Sequence, residues 1–245
     1  RGLAARAATP HGHTHTHTHT RGSPVTPPEV PPAASPPPTS HQVTSAPPGQ
    51  SPAARPASAL GLPRPDVALA IGAHPDDVEF GCGATLARWA AAGTRIHHLI
   101  CTDGSKGTWD PSANLPELVR RRQEEQRAAS RCLGGTGEVT FLGRIDGELA
   151  NDAGTRSEVV AAIRTVRPDV ILGHDPWKRY RLHPDHRAAG WLTIDGIVAA
   201  RDPHFLPELG LERHRPSALL LFEADEVDHV EPAEHVSRDT SSADL

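Results

Sequence analysis

The stretch DVALAIGAHPDDVEFGCGATLARWAAAG, residues 66–93, decides the fold. From Val67 to Ala73 it is an unbroken apolar run without polar alternation, the pattern of a strand buried on both faces. His-Pro-Asp-Asp follows at 74–77. After it, GCGATLARWAAAG reads as a helix closed by Gly93. The same grammar recurs downstream. RIHHLICTDG is a second strand running into the polar loop SKGTWDPSAN, and LPELVRRRQEEQRAASRCLGG has helical spacing, with Leu118, Gln126, Ala129 and Leu133 on or near one face and Gly134 as its stop. EVTFLG and DVILGH are strands on either side of the helix TRSEVVAAIRTVRP, DHRAAGWLTIDGIVAARD is a further helix, and PSALLLFEA supplies a late strand. Apolar strands alternating with helices predict an α/β fold: a Rossmann-like, doubly wound, mostly parallel sheet with helices on both faces. In such sheets ligands bind outside the carboxyl ends of the strands.

Composition divides the chain. Residues 1–62 carry PHGHTHTHTHTRG and PPEVPPAASPPPTS, a low-complexity His/Thr- and Pro-rich tail that cannot bury enough apolar area to offset chain entropy and is expected to be disordered, extended coil. Its alternating histidines could take up a transition metal, but a low-complexity tail is the simpler reading. About 180 residues remain, enough for one domain with a sizeable core. That domain is placed at 63–230, with a disordered, truncated tail at 231–245. The formal charge is -5 and only Lys106 and Lys178 are lysines, so no basic arm points to nucleic acid. Cys82, Cys101 and Cys132 lack C-x-x-C spacing and read as reduced thiols of a cytoplasmic protein. No apolar run approaches the roughly 20 residues of a transmembrane helix.

His74, Asp76 and Asp77 directly follow the first strand. Desolvating two adjacent carboxylates costs several kcal/mol unless a cation or hydrogen bonds compensate, and a divalent metal does so economically. RLHPDHRAAG repeats the pattern after another strand, with His183 and His186 three residues apart at a helix start and Asp185 between them. One carboxylate and two imidazoles from two strand ends would make a three-ligand zinc site with an open position for water. Each motif alone has a plainer reading: His-Pro-Asp tripeptides form ordinary turns, and Asp77 could cap the helix that follows. Two such motifs, each at a strand end, favour the metal.

Together AHPDDVEFGCGATLA and HPDHRAAG resemble the LmbE-like, PIG-L type de-N-acetylases, and TDGSKG, RQEEQRAASRCLG and DGEL fit as landmarks between them. The resemblance covers about residues 65–230. It implies a Rossmann-like fold and zinc-dependent hydrolysis of an N-acyl, typically N-acetyl, amide on a small-molecule amino-sugar conjugate. It further implies that His74, Asp77 and His186 ligate zinc, that Asp76 is the general base, and that His183 assists at the oxyanion or the departing amine with Asp185 orienting its ring. Arg122 and Asp146 become candidates for holding the sugar. Gly81 and Gly83 are expected to let the helix pack close to the metal loop. The chain departs from the family in having Arg181 where some members carry a Tyr, and in stopping where members continue with a further strand and helix, which would leave part of the substrate rim missing.

Two other functions compete. One is a Rossmann-like nucleotide- or sugar-binding module, although two carboxylates at the first turn in place of G-x-G-x-x-G would repel a phosphate. The other is an inactive, truncated family member. The sequence leaves the N-acyl substrate and the oligomeric state open.

Overall fold

A computed structural model describes residues 62–231. The expectations for the two terminal tails lie almost wholly outside the described residues. Apolar runs pair side by side into a five-stranded sheet, with β1 Val67–Gly72, β2 Arg95–Thr102, β3 Val139–Arg144, β4 Val170–His174 and β5 Ala218–Phe222 in the order β3-β2-β1-β4-β5. Every pairing is parallel. The sheet is thus parallel throughout, and the order reverses between β1 and β4, which places the switch point where an α/β sheet opens a crevice for ligands.

Four helices connect these strands: α1 Asp77–Ala91, α2 Leu115–Cys132, α3 Ala153–Val166 and α4 Pro184–Ala200. Alternation along β1 sends Leu69 and Ile71 into one core with Val159, Val160 and Ile163 of α3 and Leu192 of α4. Ala68 and Ala70 enter a second core with Val78, Leu86 and Trp89 of α1. Burying side chains on both faces is what a continuous apolar strand requires, and it explains why β1 shows no polar alternation. α2 also covers the α1 face, where Gln126, Ala129 and Ser130 are buried.

Local signals set the helix ends. Asn114 caps α2 by accepting from Glu117 N at 3.3 Å, and Asp152 caps α3 by accepting from Thr155 N at 2.8 Å. Gly93, with φ 97, follows α1 in the left-handed conformation that glycine adopts without strain. α1 itself starts at Asp77, four residues before the expected Gly81, because the chain reverses sharply at Asp76 and puts Asp77 and Glu79 in a first turn that favours negative charge. Trp89 is core, whereas Trp191 is partly exposed and meets Trp177 edge-on at 5.0 Å. Among the described residues no helix is long and apolar enough to cross a membrane.

Candidate metal centre and active site

β1 ends at Gly72 and β4 at His174, and the turns beyond them converge with the start of α4. His74 is buried, with each ring nitrogen facing a different set of partners. Nδ1 lies 3.2 Å from His186 Nε2 and 3.3 Å from Asp77 Oδ2. His186 Nε2 is in turn 3.1 Å from Asp77 Oδ1. The two imidazoles thus meet each other and opposite oxygens of one carboxylate, a crowding of donor atoms at separations that a shared cation accommodates. Two imidazoles and a carboxylate are also a donor set that suits zinc. His74, Asp77 and His186 are candidate donors, and they overlap two groups whose ligand atoms all lie within 4.8 Å of one another: His74 with His183 and His186, and Asp77 with His174 and His186.

The other nitrogen of His74 is held by carboxylates. Nε2 is 3.1 Å from Asp185 Oδ2 and 3.2 Å from Asp146 Oδ1. Such partners fix the ring with Nδ1 toward His186 and Asp77, an arrangement of the kind that stands behind metal-bound histidines. Asp185 is fully buried and also accepts from Gly147 N at 2.6 Å and Leu149 N at 3.1 Å. Its carboxylate thus serves His74 rather than His183, where the sequence placed it. Asp146 is buried as well, and its Oδ2 accepts from Lys106 N at 3.0 Å. The carboxylate of this candidate sugar contact is thus engaged by His74 and Lys106.

His183 stands at the mouth and caps α4, its Nδ1 accepting from Asp185 N at 3.3 Å. With Nδ1 an acceptor, the proton of the neutral ring is on Nε2. Burial, followed by the neighbouring His74 and His186, lowers its pKa and keeps it neutral at pH 7. The ring meets His74 edge-on at 4.5 Å.

Asp76 lies beside this set without belonging to it. Its side chain is half exposed, 47%, and Arg122 Nη2 donates to Oδ2 at 2.9 Å. Partial burial raises its pKa and Arg122 opposes the rise. Its backbone has φ 101, a strained value for a residue with a side chain. At Asp77, burial acts to raise the pKa, but hydrogen bonds from His174, His186 and His74 prevail and hold the carboxyl ionised. Burial acts to lower the pKa of His74, and the facing carboxylates, Asp77 foremost, raise it instead.

Sequence reasoning overlooked His174 and Phe222 in this centre and noted Arg181 only as a departure from the family. His174 Nε2 is 3.2 Å from Asp77 Oδ2, and its ring stacks on His186 with centroids 4.4 Å apart. Arg181, nearly buried, donates to His174 Nδ1 at 3.2 Å and to Glu223 at 2.9 Å. Nε2 faces both Asp77 Oδ2 at 3.2 Å and the Ala73 N–H at 3.4 Å, while the permanent cation favours Nδ1 as an acceptor. Phe222 closes the back, edge-on to His174 at 4.7 Å. A Cβ at Gly81 would lie 2.4 Å from the Phe222 ring, so that glycine makes a real close approach, whereas one at Gly83 would find ordinary contacts from 3.8 Å. The available signal for His174 was its place at the end of the strand beside β1. Behind the turn, Gln126 Nε2 donates to buried Glu79 Oε1 at 2.7 Å, and His98 Nε2 stands 3.8 Å from the same oxygen.

The chain is thus an α/β protein with a candidate His/Asp metal centre at the carboxyl edge of its sheet. Residues 69–196 match the GlcNAc-PI de-N-acetylase (PIG-L) family, and the chain belongs to it. It is 36% identical over 163 residues to the diacetylchitobiose deacetylase of Thermococcus kodakarensis, covering 61% of this chain and 61% of that protein. It is 34% identical over 166 residues to the 1D-myo-inositol 2-acetamido-2-deoxy-α-D-glucopyranoside deacetylase of Streptomyces avermitilis, covering 58% and 56%. The matched region therefore spans about three fifths of these relatives. Among solved structures, N,N'-diacetylchitobiose deacetylase from Pyrococcus horikoshii superposes with a TM-score of 0.66 at 28% identity, covering 69% of this chain and 65% of that one. A conserved protein of Thermus thermophilus gives a TM-score of 0.54 at 32% identity, covering 64% and 66%.

Proposed function

We propose that this chain is a zinc-dependent hydrolase that removes the acyl group, acetyl foremost, from the amide nitrogen of an amino-sugar conjugate. One observation carries the proposal: His74 Nδ1, His186 Nε2 and an Asp77 carboxylate stand 3.1–3.3 Å apart at the switch point of the sheet, with the half-exposed Asp76 carboxylate beside them. Family membership supports the reading, as do the deacetylase activities carried in the names of both relatives.

His74, Asp77 and His186 would hold the ion, whose Lewis acidity would be supplied to an amide carbonyl and to an attacking water. Asp76, unengaged with the other donors, is the base that takes the proton from the attacking water. His183, with its proton on the outward Nε2, donates to the carbonyl oxygen as negative charge gathers there. The amine leaves neutral once a proton reaches its nitrogen, and Asp76, protonated in the first step, is the group at hand to supply it, while neutral His183 keeps its proton and acts only as a hydrogen-bond donor. Asp185 and Asp146 steady the His74 ring from behind. A phosphate-binding role finds no support at this turn, where two carboxylates stand in place of converging amide donors.

The deciding experiment offers the zinc-loaded chain N,N'-diacetylchitobiose and 1D-myo-inositol 2-acetamido-2-deoxy-α-D-glucopyranoside while free amine and acetate are measured. Asp76→Asn should lower turnover by about 10²- to 10⁴-fold with zinc content unchanged. Full turnover in that variant would remove Asp76 from the mechanism, and an absence of acetate from both compounds would overturn the substrate class.

A further inference from the structure

Arg122 and Gln126 are four residues apart on α2 and so share one face of it. Both reach the same peptide unit, the one joining Pro75 to Asp76. Arg122 Nη2 donates to its carbonyl, Pro75 O, at 2.6 Å, and Gln126 Oε1 accepts from its N–H, Asp76 N, at 2.8 Å. Opposite ends of one peptide plane are therefore gripped by two side chains from a helix about 50 residues away. Arg122 also donates to Asp76 Oδ2 at 2.9 Å and to Gly104 O at 3.0 Å.

The grip is backed on both sides. Gln126 is buried, and its Nε2 donates to Glu79 Oε1 at 2.7 Å. That bond fixes which end of the amide faces Asp76, since only the oxygen can accept from the peptide N–H. The Arg122 guanidinium occupies space left by two glycines: a Cβ at Gly104 would lie 2.8 Å from Nη1, and one at Gly107 would lie 2.2 Å from it. What is held is a strained conformation. A residue with a side chain at φ 101 persists only where surrounding contacts outweigh its cost, and strain of this kind gathers at functional sites.

We infer that Arg122 and Gln126 form a peptide clamp that aims Asp76, so that both are positioning residues for the base. The inference rests on the proposed role of Asp76. It reassigns Arg122, which the sequence offered as a sugar contact, to holding the turn. Binding of substrate and aiming of the base are separable in kinetics: loss of a sugar contact raises KM, whereas loss of aim lowers kcat at constant KM.

Gln126→Met fills nearly the same volume without hydrogen bonds and is the first variant to make in the full, zinc-loaded chain. With the better of the two compounds above, kcat should fall about 10- to 100-fold with KM and zinc content unchanged. Amide exchange at Asp76, followed by NMR, should quicken at least about tenfold while the amides of β1 stay protected. Should Gln126→Met fail to fold, Arg122→Gln removes the other jaw, and the clamp predicts the same fall in kcat at constant KM. A raised KM with kcat retained in Arg122→Gln would return Arg122 to substrate binding and overturn the clamp. So would wild-type kcat and unchanged Asp76 exchange in Gln126→Met. Asp76→Asn separates the two ideas: if it is inert while Gln126→Met is fully active, the clamp fails and the base stands. Full activity in Asp76→Asn removes the base and the clamp with it.

Discussion

The carboxyl of Glu79, buried against Gln126 and His98, ties the stability of the fold to pH. Burial raises its pKa from an ordinary 4.5 to about 7, and burial lowers that of His98 to about 4. A carboxyl whose folded pKa is raised contributes stability that is complete below about pH 4.5 and is lost as pH climbs through 7. Ionising it in place costs on the order of 3 kcal/mol at alkaline pH. Glu79→Gln, which keeps the acceptor for Gln126, should therefore raise stability to denaturant by up to that amount at pH 8 and change it little at pH 4.5. A gain of equal size at both values would show that Glu79 does not titrate in this range. His98 works in the opposite sense, contributing stability present above pH 6.5 that is lost as pH falls toward 4. None of this could be read from sequence. Nothing in the sequence singled out Glu79, and His98 stood only as one of two histidines in a strand, because burial of a polar group depends on helices that arrive from elsewhere. His74, Asp76, Asp77, His183 and His186 were legible, since each motif gathers its donors within a few residues. His174 was not, being a single histidine with no neighbour of its own kind in sequence.

Among the elements, α1 shows how packing reaches the centre. Its glycine at position 81 admits the Phe222 ring, and that ring rests edge-on against His174. Gly81→Ala would place a methyl inside the ring's envelope and force β5 or α1 to move, a cost of about 1–3 kcal/mol. Denaturant unfolding of the metal-free chain should reveal that loss, and zinc affinity should fall with it, because Phe222 backs the imidazole beside Asp77. Unchanged stability would mean that the ring swings away freely. Most elements were readable from apolar runs and glycine stops, as at Gly93 and Gly134. The start of α1 was not, because Pro75 and the paired aspartates read as a turn. Only the left-handed backbone at Asp76 shows that turn and helix are continuous.

For the molecule as a whole, the proposed zinc is a bond between distant parts of the chain. The ring nitrogens of His74 and His186 meet across 112 residues of sequence. An ion that binds the folded state alone stabilises it by about 4 kcal/mol at 1,000 times its dissociation constant. For a domain of this size that corresponds to a rise in Tm of roughly 8–16 °C. Thermal unfolding with zinc and with chelator measures the shift, and equal melting temperatures would contradict the proposed centre. The strand order itself was foreseeable only as a class: alternating strands and helices imply a parallel sheet, but which strand lies beside β1 is settled by three-dimensional packing. The long separation also orders events in time. Asp77 is synthesised before two of its imidazole partners, on β4 and α4, which emerge about a hundred residues later, after the whole β2 to β3 half of the sheet. Until then Asp77 has only His74 of its three imidazole partners, so the centre closes only on a chain whose synthesis has passed the start of α4.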